Sequence, residues 1–309
     1  MIDRICLAQY WPILSNTLLC SKNSHRNRKM LKDFFKLNPQ FETFDGERFN
    51  SQLRVSKHLC NILYYPEKLE GQRISGVTFE NVSFSKTLIY KSTFTGCVFK
   101  DCLFIGTEFN EVEFHDCSFE NCNFFKSKLI SVYAKPRQFR KAITDVKFSN
   151  IAIHLYQQLR ENYYQESQRE FKNEAEYYFC LWKRKNDFLQ AKRKNLKYYE
   201  FIPNHVLSWV YGVTLGYGYK LKNLVLTTCV IVTTLVFANH LFADFLFTVP
   251  EQKSIIKTTY FTVTTMATLG ASGYTPNTEI GYVFVILNVL TGISIFSATI
   301  NSIFKKVIR

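Results

Sequence analysis

Zinc-site spacing is missing from this chain. Its nine cysteines include no C-x-x-C pair and its six histidines stand apart, so the paired ligands of a structural zinc site are absent. No fixed metal and no cofactor is expected. The scattered, odd-numbered cysteines suit a reducing compartment rather than a disulfide framework. No nucleophile–base set stands out, which argues against an enzyme. No voltage-sensing run of arginines and no nucleotide-binding loop is present. Basic residues almost vanish after Lys222, beyond which only Lys253, Lys257, Lys305, Lys306 and Arg309 remain of the 39 Lys and Arg. Most of the net charge of +14 therefore sits in the first two thirds. Because apolar segments follow it, the charge reads as retention on the cytoplasmic side of a membrane, and no nucleic-acid partner is expected. Near the start, ICLAQYWPILSNTLLC is interrupted by Gln9, Pro12 and Asn16 and is followed by no small-residue cleavage site. It reads as a buried helix rather than a signal peptide.

What is present first is a ladder. From Ile74 to Leu129 every fifth residue is apolar, including Phe79, Phe84, Phe94, Phe99, Phe104, Phe109, Phe114, Phe119 and Phe124. Two places before most of these stands a small or β-branched residue, among them Val77, Val82, Thr87, Ser92, Cys97, Cys102, Thr107, Cys117 and Cys122. Neither a helix nor a strand has this period, and a fixed repeat implies a solenoid. The pattern resembles the pentapeptide-repeat family. That resemblance implies a right-handed quadrilateral β-helix in which five residues make one side and four sides close a coil. Phe79, Phe99 and Phe119 then lie above one another at roughly the ~4.8 Å strand spacing, as do Phe84, Phe104 and Phe124. Cys97 and Cys117 become vertical neighbours, as do Cys102 and Cys122. Small apolar filling is the simpler reading of these pairs, with a disulfide or metal as the alternative. The segment VKFSNIAI, 146–153, reads as one more step of the ladder. Some such solenoids mimic DNA through an acidic surface, but residues 69–153 hold eleven basic and nine acidic side chains, which excludes that use.

After residue 154 the period becomes helical. LYQQLRENYYQESQREFKNEAEYYFCLWKRKNDFLQAK contains no Pro or Gly and predicts two long helices, partly solvated. LVLTTCVIVTTLVFANHLF, 224–242, carries no acid or base and is long enough to cross a bilayer. GYVFVILNVLTGISIFSATINSIF, 281–304, is a second span. Lysines flank the outer ends of both, which places both termini in the cytoplasm.

Between the spans, SIIKTTYFTVTTMAT is too short to cross and runs into LGASGYTP. Irregular backbone at membrane depth is tolerated only where it lines a water-filled cavity. YFTVTTMATLGASGYTP resembles the pore segment of the potassium-channel family. Tyr260 and Phe261 match the aromatic pair of its pore helix; Thr268, Leu269 and Gly270 match the first three filter positions. Pro276 matches the exit proline, and Gly292 resembles the hinge glycine of the inner helix. The resemblance implies four copies around one axis, with permeant potassium or another monovalent cation at carbonyls of Thr268, Leu269, Gly270 and Ala271. Ala271, Ser272 and Gly273 depart from the family's Tyr, Gly and Asp. Serine for glycine strains the alternating filter backbone, and no tyrosine is left to hold its width. Potassium selectivity and non-selective cation flow both remain open. So do two readings of Gly292, hinge or packing, and two of Asn288, cavity lining or inter-helix hydrogen bond. Asn239, His240 and Asp244 are placed at the outer end of the first span, where water reaches.

A second stretch, TLGYG at 214–218, is closer in letters to the family's filter. It precedes the first span and ends in Lys220 and Lys222, so it cannot lie between spans. SWVYGVTLGYGYKLKN resembles instead a segment ahead of the first span in pentapeptide-repeat channel proteins. Physically it reads as an interfacial collar, with Trp209, Tyr211, Tyr217 and Tyr219 at headgroup level.

The fold class expected is a multidomain membrane protein: a quadrilateral β-helix of pentapeptide repeats, a helical linker and a two-span all-α tetrameric pore domain. The domains expected are a mixed helical cap (1–68), the β-helix (69–153), the linker (154–205) and the pore domain (206–309), with pore helix 255–267 and filter 268–272. The function expected is a homotetrameric cation channel in the cell (inner) membrane, gated by its cytoplasmic repeats. Its gating ligand or protein partner is not written in the sequence. The rival is a membrane-anchored scaffold with a degenerate pore. If residues 214–218 lie outside the ion path, replacing Gly216 and Gly218 by Ala leaves ion selectivity unchanged. The reversal potential in mixed potassium and sodium checks this, and a shift places the stretch in the pore.

Overall fold

Twenty residues separate partners throughout the first unit of the chain. Phe79 pairs with Phe99 and Phe99 with Phe119, all in parallel register. The computed structural model describes residues 34–37, 40–194, 198–248, 254–270 and 273–307, so the helix expected at 5–20 lies outside the described residues. The chain forms two compact units divided after Ala175.

In the first unit, strands β1 (Glu42–Phe44), β2 (His58–Tyr64), β5 (Thr78–Ser83), β8 (Val98–Lys100) and β11 (Ser118–Glu120) form one side. Strands β4 (Arg73–Ser75), β7 (Thr93–Thr95) and β10 (Glu113–His115) form the second. The third holds β3 (Lys68–Glu70), β6 (Leu88–Tyr90), β9 (Glu108–Asn110) and β12 (Lys128–Ile130). The fourth is made of single parallel bridges, Ser83 to Leu103 and Leu103 to Asn123. Four sides of five residues close one coil, as the repeats imply.

The core is the column of rings. Phe79 and Phe99 stack at 4.9 Å, as do Phe99 and Phe119, and Phe104 and Phe124. Corner residues carry positive φ at five-residue intervals, from Gly71 and Gly76 through Asn81 and Asp101 to Asn121 and Ser131. Asn and Asp enter this region more readily than other non-glycine residues because their short side chains bond locally. Here they bond vertically too: Asn81 Nδ2 donates to Asn61 Oδ1 at 2.7 Å, and Asn121 donates to Asp101.

The small inward residues do more than fill space. The Thr107 hydroxyl donates to the Phe84 carbonyl at 2.7 Å. The Cys102, Cys117 and Cys122 thiols donate to the carbonyls of Phe79, Phe94 and Phe99 at 3.3 to 3.4 Å. All four cysteines of the two vertical pairs are free, and burial pushes the Cys122 thiol well up.

The ends differ from the expected boundaries. The ladder reaches upstream of 69, because Leu59 and Tyr64 continue the five-residue column and β2 pairs with β5. Helix α1 (Gly46–Val55) closes this end; Asp45 caps it by accepting from the Arg48 N–H, and its buried Phe49 packs on Tyr64 and Phe79. At the other end, a 3-10 turn at Pro136–Lys141 sets Phe139 on Phe119 at 4.6 Å, one more storey without a strand. VKFSNIAI is not a further repeat. It forms a 3-10 turn and then opens α2 (Ser149–Gln165), whose Ile151, Ala152, Leu155, Tyr156, Leu159 and Tyr163 are buried on one face. That helical spacing overrides the five-residue step. The Asn162 side chain seals the open coil edge with two bonds to Val132, at 2.8 and 2.7 Å.

After α3 (Arg169–Arg193), the second unit holds α4 (Tyr198–Leu215), a 3-10 turn at Gly216–Gly218, and α5 (Leu221–Leu246). Gly216, Tyr217 and Gly218 all have positive φ. This turn buries Tyr217 beside Tyr177, Tyr211 and the bare backbone of Gly212, so its ring is not presented outward as the collar reading expected. β13 (Phe247–Thr248), α6 (Ile255–Met266), β14 (Thr275–Pro276) and α7 (Glu279–Val307) complete the unit. In α5 and α7 the apolar stretches have mean hydropathy 1.9 and 2.2, and only 11% and 6% of each is buried. A soluble core helix would be covered, so these surfaces call for lipid or other chains.

Phe104 lies mid-stack and is 1% exposed. Its truncation to Ala is expected to cost the repeat unit ~3–5 kcal/mol, read as a lower melting temperature of the full chain. An unchanged melt counts against the coil.

Candidate functional site

Helix α6 starts at Ser254, whose hydroxyl accepts from the Ile256 N–H. It has twelve residues, about 18 Å, too short to span. Its threonines look after themselves in apolar surroundings. Thr258, Thr259, Thr262 and Thr264 each donate to the carbonyl four residues back, at 2.7 to 3.1 Å. Such back-bonding satisfies hydroxyls without water.

The helix ends in a Schellman motif. The Leu269 N–H reaches the Thr264 carbonyl at 2.8 Å and the Thr268 N–H reaches Thr265 at 3.0 Å. Thr268 has φ +59° and Gly270 φ +63°, while Leu269 between them is not left-handed. A β-branched residue in this region is strained by of order 1–3 kcal/mol. The backbone therefore alternates hand over the three residues the resemblance marks as filter, at the helix end whose dipole favours cations. The Leu269 side chain is 71% exposed. Ala271 and Ser272 lie outside the described residues.

The aromatic pair is divided. Phe261 is buried and Tyr260 faces outward. Phe261 packs edge-on against Phe247 and stacks on Tyr274, both at 5.0 Å. The Tyr274 hydroxyl stands 3.2 Å from Thr258 Oγ1, which is also 3.1 Å from His240 Nδ1. A tyrosine thus does bind the short helix, from position 274 instead of the aligned 271. The family's tyrosine position itself is Ala271 in this chain. Pro276 pairs with Phe247 in the two-residue ribbon of β13 and β14, so the chain leaving the candidate filter is tied to the end of α5.

Asn239 is not at a watery edge. It is 1% exposed, and its amide donates to Thr262 Oγ1 at 2.9 Å and to Asn288 Oδ1 at 3.3 Å, while Asn288 donates back at 3.3 Å. Asn288 takes the inter-helix hydrogen bond of its two readings. Helix α7 passes through Gly292 without interruption. A Cβ at Gly292 would stand 2.7 Å from the Met266 carbonyl carbon and closer still to its oxygen. Backbone approach of that kind is open only to glycine. Tyr274, Asn239 and Thr262 were not singled out as site residues from the sequence; an amide inside an apolar span was the available signal. Among the described residues no group of three or more His, Cys, Asp or Glu could hold a metal ion.

Tyr274→Phe keeps the ring and removes only the hydroxyl contact, so it is expected to cost about 1 kcal/mol. Tyr274→Ala should cost ~3–5 kcal/mol. Thermal unfolding of the detergent-solubilised protein measures both, and equal losses would mean that the Phe261 stack contributes nothing.

No curated protein matches the chain. A family model described as pentapeptide repeats matches residues 90–125 in eight copies, and one described as an ion channel matches residues 224–309. The chain therefore joins a segment similar to pentapeptide repeats to a two-helix segment similar to an ion-channel pore of the potassium-channel type.

Proposed function

We propose that the chain assembles as a homotetramer and conducts potassium or other monovalent cations through a filter of backbone carbonyls at Thr268, Leu269 and Gly270, extended by Ala271 and Ser272. The observation that carries this reading is the alternating hand at Thr268 and Gly270, directly beyond a re-entrant helix held between two uncovered apolar helices. Alternation turns successive carbonyls to one side, and four chains around an axis would complete the ring. The exposed apolar area of the two long helices and the ion-channel match over 224–309 support the same reading. The distribution of Lys and Arg supports cytoplasmic termini in the cell (inner) membrane, with the repeats and the helices after them acting on the pore from that side. The ion-channel match points away from an enzyme.

The departures at Ala271 and Ser272 favour one alternative, a membrane-anchored scaffold with a closed pore that binds a protein partner through its repeats. Flux from liposomes containing the purified full chain separates the two. Potassium or sodium flux carries the channel reading, and none under any gradient or voltage carries the scaffold. Gly270 supplies a second test, because a Cβ there meets no atom within 4 Å while φ is +63°. Gly270→Ala therefore adds about 1 kcal/mol of backbone strain without a clash. It is expected to leave assembly intact and lower cation flux. Wild-type flux in this variant would take Gly270 out of the ion path.

A further inference from the structure

The inner span α7 meets the pore helix α6 at two levels one helical turn apart. At the upper level, Asn288 and Asn239 exchange amide hydrogen bonds at 3.3 Å, and the same Asn239 Nδ2 donates to Thr262 Oγ1 at 2.9 Å. At the lower level, Gly292 lies against the Met266 carbonyl. Residues 288 and 292 share a face of α7, and 262 and 266 share a face of α6, since four residues make about one turn. Asn239, Asn288 and Thr262 are each 0 or 1% exposed. An amide pair in an apolar setting is directional and costly to break on one side only. Thr262 is anchored in turn, donating to the Thr258 carbonyl at 2.8 Å. The Met266 carbonyl belongs to the last turn before Thr268, so the lower contact sits immediately beneath the candidate filter.

We propose that Asn239, Asn288, Thr262 and Gly292 are positioning residues for the ion path, locking one turn of the inner span onto one turn of the pore helix. The inner span and the filter then move as one body, and conduction is controlled at Thr268 to Gly270 rather than by bending of α7 at Gly292. This rests on the channel reading above. It departs from the hinge that the resemblance assigns to Gly292, because a hinge needs free backbone and this glycine is covered by a carbonyl.

The two roles predict different electrical signatures. A hinge glycine sets how often a pore opens and leaves the open pore unchanged. A lock sets the shape of the open filter. Full-length variants reconstituted in planar bilayers are compared for unitary conductance and potassium-over-sodium permeability, with cross-linking to confirm assembly. Thr262→Val keeps the Asn239–Asn288 pair and removes the link to the pore helix. It is expected to shift the permeability ratio by about tenfold, equivalent to one well-made hydrogen bond to the filter's support. Gly292→Ala is expected to reduce unitary conductance in assembled protein. Wild-type conductance and permeability in both variants, with only open probability altered, overturns the lock. If the wild type itself passes no current, the channel reading fails and the lock is judged on melting temperature alone. Asn239→Leu and Asn288→Leu should each lower it by orphaning a buried amide, and the double variant should recover at least part of the loss. Additive losses overturn the lock.

Discussion

A peptide group away from water has to find its partner within the chain, and both units of this protein are organised by that constraint. In the β-helix each short side offers its N–H and C=O groups to the coils above and below, which is why pairing holds to a twenty-residue register. The same demand explains the side chains at the inner corners. Thr107, Cys102, Cys117 and Cys122 donate to carbonyls lying close to the stacked rings. In the second unit the spans satisfy themselves as helices, and the threonines of α6 bond back along their own helix. Among the described residues of this unit, positive φ occurs at Gly216–Gly218 and again at Thr268 and Gly270, just after α6.

Much of this was legible from spacing. A five-residue period has no helical or extended alternative, so the column from Ile74 to Leu129 could be placed ring by ring. Its ends were harder to read, each for a physical reason. Leu59 and Tyr64 keep the period, but Lys57 stands where a small corner residue would precede Leu59 and the bulky Ile62 precedes Tyr64. Phe139 occupies a core position from a 3-10 turn, where the five-residue count no longer applies. At Ser149 a buried face with helical spacing takes over because α2 has a coil edge to seal, and that edge exists only in three dimensions.

The pore segment was legible in its order of parts and less so in its contacts. Thr268 and Gly270 were marked by their letters, and both have positive φ. Tyr274 was passed over because a gapless alignment puts the bracing tyrosine at 271. The chain reaches the same helix from three residues further on. Asn239 and Asn288 lie 49 positions apart, so neither could announce its partner. A single amide in an apolar span reads as an edge residue until another amide is placed opposite.

The coil count of the β-helix has a consequence for how such a chain can change length. An insertion of a whole coil, four sides of five residues, lengthens the column by one storey of about 4.8 Å and returns every later residue to its old face. An insertion of a single five-residue side leaves the buried rings in register but swings everything after it through a quarter revolution about the long axis. The hydrophobic pattern alone would tolerate both. The Asn and Asp files at the corners would not, because Asn81 finds Asn61, and Asn121 finds Asp101, only at a full-coil offset. Those corner files act as an angular reference, fixing the heading at which α2 leaves the last coil.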